Sequence, residues 1–190
     1  MTRSQPMLPQ HHIPLMRRFK RREAIPLNQG SLWKIEKGSV HAFTLSDTGT
    51  IISLGFWSAG DVIGQYLTCI QPYQVECLTD VEIYSLLPSE CWNLNQVMLS
   101  HIQQMQELLR IRSGQIQQRL RQFLEWMAYK FGRETDQGKL IELRLTHQDM
   151  ADVIGTTRVT ITRLLHQLEE SGEIHLTRKN YILLHRHSPL

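Results

Sequence analysis

Arg158 and Arg163 share a segment with Val159, Thr162 and His166, and no acidic residue occurs from 156 to 167. At helical spacing these side chains fall on one face, opposite a stripe of Ile161, Leu164, Leu165 and Leu168. A face rich in guanidinium and hydroxyl groups and free of carboxylates suits a polyanion. A guanidinium can also grip guanine O6 and N7 together in a DNA major groove. Arg158 stands first on this face, at the helix N-terminus, which is the part that reaches base edges when such a helix enters the groove. Two more cations, Arg178 and Lys179, sit in a turn downstream, where they suit phosphate contact. The implied chemistry is recognition of duplex DNA.

The elements that must position these residues flank them. Thr146 predicts an N-cap, its hydroxyl accepting a bond from a free first-turn N–H. Asp149 places negative charge at the positive end of that helix. Met150, Ala151 and Ile154 make one apolar face, and Gly155 offers the left-handed residue that ends a helix without a Cβ penalty. Thr157 predicts the cap of the second helix. Small Ala151 lets that helix approach, Gly155 makes the turn, and Ile161 plugs the gap, as a helix-turn-helix requires. An ordinary helical hairpin shares this periodicity. The acid-free face, the position of Arg158 and the segment that follows favour the DNA-binding unit. That segment, 174–176 and 181–184 around a turn at 177–180, predicts a β-hairpin wing.

A chain of 190 residues can bury one good core or two small ones. No apolar run approaches the ~18 residues that span a bilayer. The N-terminus, with Arg3 and no apolar segment, does not resemble a secretory signal, so a cytoplasmic protein without membrane partners is expected. Cys69, Cys77 and Cys91 are wrongly spaced for zinc or an iron–sulfur cluster and read as reduced thiols in or near a core. The net charge of +3 is uneven. Residues 1–95 carry 8 Lys and Arg against 8 Asp and Glu, while 96–190 carry 13 against 10. No phosphate loop, dinucleotide fingerprint, zinc spacing or nucleophile–base set occurs, so neither an enzyme nor a cofactor is expected. The His11–His12 pair and the His185 and His187 pair read as unligated imidazoles near the termini. His41 reads as part of a strand face and His101 as part of a helix surface.

The chain divides into an arm at 1–23, a β-roll at 24–95, a helix and hinge at 96–116, and a winged helix-turn-helix at 117–190. The arm's basic cluster at 17–22 reads as a solvated lead-in to the first strand, the alternative being contact with DNA or RNA. Short alternating strands with Gly turns from 32 to 86 predict a small antiparallel barrel or roll. After Pro88 the period becomes helical. Ile102, Met105, Leu109 and Ile116 form a seam, with Arg112 interposed, that either pairs with a partner helix or packs on the chain's own roll. Gly114 marks a hinge. A second helix follows at 117–131, with Leu120, Phe123, Leu124, Met127 and Ala128 inward. A polar loop is expected at 132–138 and a strand at 140–145 that can pair with the wing. The fold class is α+β.

This order of elements resembles the CRP/FNR family of bacterial transcription regulators over roughly residues 24–185, most strongly at 140–185. The stretch Thr157-Arg-Val-Thr-Ile-Thr-Arg-Leu-Leu165 is most similar to the recognition helix of NtcA-type cyanobacterial regulators. Leu145-Thr-His-Gln148 and Ala151-Asp-Val-Ile-Gly155 support this. The resemblance implies a homodimer reading a palindrome of GTA/TAC-type half-sites, with RNA polymerase as a further partner. It places Arg158, Val159 and Arg163 at base-reading positions, and Thr146, Gln148, Thr157, Thr160, Thr162, Arg178 and Lys179 on the DNA backbone. Val159 replaces the Glu of the CRP and FNR branches. The sensing end departs from the pattern. The cyclic-nucleotide cassette is replaced by Gly64-Gln-Tyr-Leu-Thr68 and Pro72-Tyr-Gln-Val75, which lack the ribose-binding carboxylate and the phosphate-binding Arg. A buried cyclic phosphate would find no cation there, so cAMP is not expected and the effector is unassigned. The family's first strands, the Arg that holds 2-oxoglutarate and the N-terminal cluster cysteines are also missing. The alternative function is a small-molecule or protein sensor with vestigial DNA binding.

Overall fold

The computed structural model describes residues 16–27 and 32–186. The first fifteen residues of the arm, with Arg3 and the His11–His12 pair, and also His187, lie outside the described residues. The roll is built from β1 (Met16–Phe19), β2 (Leu32–Lys37), β3 (Ser39–Leu45), β4 (Ile51–Ser58), β5 (Val62–Ile63), β6 (Gln74–Cys77) and β7 (Val81–Leu86). They form two antiparallel sheets, ordered β1-β7-β2-β5 and β4-β3-β6. In β7, Val81, Ile83 and Ser85 are buried while Glu82, Tyr84 and Leu86 are less so, the alternation a half-covered sheet imposes. The hairpin between β3 and β4 closes at the expected turn, where the Ser46 N–H donates to Thr50 O at 2.9 Å.

Two expectations change here. The basic cluster is not a solvated lead-in. Its first half is β1, paired with β7 from Met16 opposite Tyr84 to Phe19 opposite Val81. The expected loop at 132–138 is instead a hairpin of β8 (Gly132–Thr135) and β9 (Gly138–Ile141). β9 then pairs with β11 (Ile182–His185), which pairs with β10 (Ile174–Leu176), giving a third sheet ordered β10-β11-β9-β8. Alternation was masked at 132–138 because the residues there are polar and both faces of β8 are largely exposed.

Helix α1 (Leu94–Ile111) crosses β4. Its roll-facing stripe is Val97, Gln104, Leu108 and Ile111, all buried. Gln104 looks like a break in an apolar pattern. Its Oε1 accepts a bond from Phe56 N–H at 2.9 Å, on the free edge of β4, where an unpaired buried N–H would be costly. The predicted seam lies on another flank. Ile102, Met105 and Leu109 are exposed, with Met98 and Leu99 beside them, so the roll and the seam use different stripes of one helix. Ile116 is past the hinge and opens α2 (Ile116–Phe131) rather than continuing α1. Gly114, between them, has φ +84°, a conformation that side chains rarely adopt.

The roll and the C-terminal unit share one core. Phe56 of β4 packs against Phe123 and Trp126 of α2, with ring centroids 6.1 and 5.8 Å away. Phe56 and Leu78 join the apolar cluster that runs through Leu120, Met127, Ile141, Ile154 and Leu165. Burying an aromatic ring this fully stabilises by about 1.5–3 kcal/mol. His41 lies on β3 as expected but faces inward, stacked on Phe56 at 4.4 Å. His101 is half-buried rather than on a helix surface, stacked on Trp57 at 3.8 Å and bonded to Val62 O. Cys77 and Cys91 are buried, Cys69 is exposed, and all three are free thiols. No helix among the described residues is long and apolar enough to cross a membrane.

Candidate DNA-reading head

Helix α3 (His147–Ile154) and helix α4 (Arg158–Glu170) meet at the turn that the sequence marks. Thr146 Oγ1 accepts from Asp149 N–H at 3.0 Å, and Asp149 Oδ2 accepts from Thr146 N–H at 2.7 Å, a reciprocal capping box. Gly155 takes φ +73° and ends α3 in the left-handed region. Thr157 caps α4, its hydroxyl accepting from Thr160 N–H at 3.2 Å. Met150, Ala151, Ile154, Ile161, Leu164, Leu165 and Leu168 are all buried. These local signals agree with one another, which is why the unit is legible from sequence alone.

The outer face of α4 is open. Val159 is 79% exposed, and Arg158 and Arg163 flank it, also exposed. Among the described residues neither guanidinium has an ion pair or hydrogen bond. The residues expected on the DNA backbone are more committed. Thr162 donates to Arg158 O at 3.0 Å and meets His147 Nδ1 at 2.7 Å, so it braces α3 against α4. Gln148 Nε2 donates to Asp152 Oδ1 at 2.7 Å. Thr157 and Thr160 share a hydroxyl bond of 2.9 Å. A hydroxyl that accepts at a cap still has its hydrogen to give, and at Thr146 that hydrogen goes to the Asp149 carboxylate. Arg178 and Lys179 are exposed at the tip of the wing, between β10 and β11, as expected.

Sequence reasoning missed the arginines that hold this head in place. Arg22 donates to Asp149 Oδ2 at 2.8 Å and to Glu76 Oε1 at 2.6 Å, tying the N-terminal segment to the first turn of α3. Burial opposes the charge on Asp149, but the Arg22 guanidinium and the Thr146 N–H overcome it and hold the carboxyl below its ordinary value. At the other end of α3, Arg112 donates to Val153 O and Asp152 O, both at 2.8 Å, and Arg119 to Ile154 O at 3.2 Å. These are the carbonyls that a helix C-terminus leaves without intrahelical partners. Arg22 and Asp149 are 127 residues apart, so no local pattern could reveal the pair. Arg112, an oddity within the α1 seam, was the one visible sign.

In the 64–70 loop, Gln65 Nε2 donates to Thr68 O at 3.1 Å and Ile70 O at 3.2 Å, so that side chain is spent within its own loop. Among the described residues no group of three or more His, Cys, Asp or Glu is placed to hold a metal ion.

A two-sheet roll, a long exposed helix and a winged helix-turn-helix define a class of DNA-binding regulators. Residues 118–188 match the Crp-like helix-turn-helix domain. The chain is 37% identical over 159 residues to Regulatory protein CysR of Synechococcus elongatus, an alignment covering 82% of this chain and 77% of that one. A Global nitrogen regulator of Synechocystis is 42% identical over 72 residues, 38% of this chain and 31% of that one. Among solved structures, a CRP-family transcriptional regulator from Thermus thermophilus aligns with a TM-score of 0.74 at 22% identity, covering 90% of this chain and 92% of that one. FixK2 from Bradyrhizobium japonicum aligns with a TM-score of 0.77 at 17% identity, covering 92% and 94%. The chain belongs to the CRP/FNR family of DNA-binding transcription regulators, which are not enzymes.

Proposed function

We propose that the chain works as a homodimer on a palindromic promoter site, each protomer laying α4 into one half-site. Arg158 or Arg163 reads the guanine edge and Val159 meets a thymine methyl, which suits half-sites of the GTA/TAC kind. The observation that carries this is Val159, an apolar side chain 79% exposed between two unpaired guanidinium groups. Such a side chain gains nothing in water and gains contact in a groove. Thr157, Thr160, Arg178 and Lys179 set the register on phosphates.

The dimer reading rests on α1. Met98, Ile102, Met105 and Leu109 recur at the alternating four- and three-residue spacing of a coiled-coil seam, and Leu109 is 71% exposed. Two such helices side by side would set the recognition helices about one helical turn of DNA apart, ~34 Å. The bend at Gly114 would tune that spacing, and contact with RNA polymerase would carry the signal to transcription.

The test is selection of bound duplexes from a random pool, followed by Arg158→Ala. The parent should enrich a palindrome, and the variant should lose that enrichment while remaining dimeric in sedimentation. An Arg158→Ala protein that enriches the same palindrome would show that α4 does not read bases there.

A further inference from the structure

Arg21 and Arg22 are neighbours with identical side chains and opposite fates. Arg22 is neutralised by Glu76 and Asp149. Arg21 donates only to backbone carbonyls, Nε to Leu78 O at 3.2 Å and an Nη2 hydrogen to Arg144 O at 2.9 Å. Carbonyls fix a guanidinium in place without cancelling its charge, and the rest of its five donors stay free. Arg21 lines a cleft of about 680 Å³ together with Arg144, Thr146, Gln148, Arg158 and Asn180. No Asp or Glu lines this cleft. The Asp80 carboxylate accepts the Arg21 backbone N–H and is paired with Lys20 at 2.8 Å. The Arg144 guanidinium sits over the Tyr181 ring at 5.9 Å.

We propose that this cleft seats a backbone phosphate of duplex DNA, held by Arg21 and Arg144, so that the N-terminal segment of the roll belongs to the DNA-binding surface. Arg158 lines the cleft, which places it beside the reading face of α4. The inference rests on the reading of α4 as the DNA-facing helix. A phosphodiester, with one negative charge shared over two oxygens, is matched by two guanidinium groups lining one cleft, and charge-assisted bonds of this kind are the strong ones. The Arg21 contact would also make DNA affinity depend on how the roll and the head are docked.

The experiment is fluorescence anisotropy with the full chain on the selected duplex and on a random one, across a series of KCl concentrations. Arg21→Gln should weaken both duplexes alike, about tenfold near physiological salt, and flatten the slope of log K against log salt by about 0.9, the loss of one phosphate contact. Arg144→Gln, which removes no bond to the roll, should flatten it similarly. Unchanged slopes in both variants overturn the proposal. Weaker binding by Arg21→Gln at the parental slope also overturns it, since Arg21 would then be only a strut. Thermal melts with inorganic phosphate alone separate a free anion from DNA. Stabilisation lost in Arg21→Gln, with no change in the DNA slope, would reassign the cleft to the free ion. Failure of the head reading looks different, because the parent would then not prefer the selected duplex over the random one at any salt.

Discussion

At the scale of single residues, environment decides what identical side chains do. Arg22 is a clamp, while Arg158 and Arg163 are left unpaired. On the proposed reading of α4, Val159→Glu should exchange a thymine-methyl contact for an acceptor of the cytosine amino group. The enriched half-site should change accordingly, with at least a tenfold loss on the original sequence, measured by anisotropy. His41 shows the reverse dependence on surroundings. Burial pushes its imidazole down to about 4 from an ordinary 6.5. The unfolded chain therefore binds this proton near pH 6.5 while the folded protein refuses it until about pH 4. Stability should fall as pH drops through that window, by roughly 3 kcal/mol from this group. His101 is lowered by burial as well and adds in the same direction. Urea midpoints followed from pH 7 to pH 4.5 should show the fall, and His41→Phe should flatten it.

At the scale of elements, α3 is a short helix whose stability is supplied at its ends. Eight residues cannot hold a helix in water by propensity alone. Its first turn is closed by the Thr146–Asp149 box and by Arg22, and its last carbonyls by Arg112 and Arg119. Thr146→Ala should cost about 1 kcal/mol, read as a lower Tm with the fold retained. Arg112→Ala should loosen the link between α1 and α3. The expected sign is faster amide exchange at Val153 and Ile154, with little change in the roll. Helix α1 carries two stripes on one cylinder. Val97, Leu108 and Ile111 are anchored on the roll, and Ile102, Met105 and Leu109 remain for another surface.

At the scale of the whole molecule, the roll and head are not beads on a linker. They share the cluster around Phe56, Phe123 and Trp126 and the Arg22–Asp149 pair. Arg22→Ala would leave a half-buried carboxylate without its partner, at a cost of roughly 1–2 kcal/mol once solvent screening is allowed for. The melting curve should then lose cooperativity as the head detaches before the roll. A second global prediction concerns assembly. Ile102→Glu combined with Leu109→Glu should give a monomer in sedimentation with an unchanged melting profile for the head. Its affinity for the palindrome should fall by at least a hundredfold, because two half-sites would no longer be held together.

The sequence by itself determined the helix-turn-helix, its caps, its turn, its wing and the strand character of the roll from 32 to 86. Each of these rests on interactions a few residues apart: Thr146 with Asp149, Gly155 at a left-handed turn, alternation along β7. Periodicity also exposed the seam on α1, though not which of its stripes packs inward, since both are helical. Only the tertiary structure decided the rest. It turned the basic cluster into β1 and a clamp, gave Gln104 an edge strand to cap, and sank His41 beneath Phe56. It also brought Arg21 beside Arg144, 123 residues away. The physical reason is range. Caps and turns are settled by neighbours along the chain. Whether a guanidinium is neutralised, braced or left free for an anion depends on which carboxylates and carbonyls folding brings within about 3 Å of it.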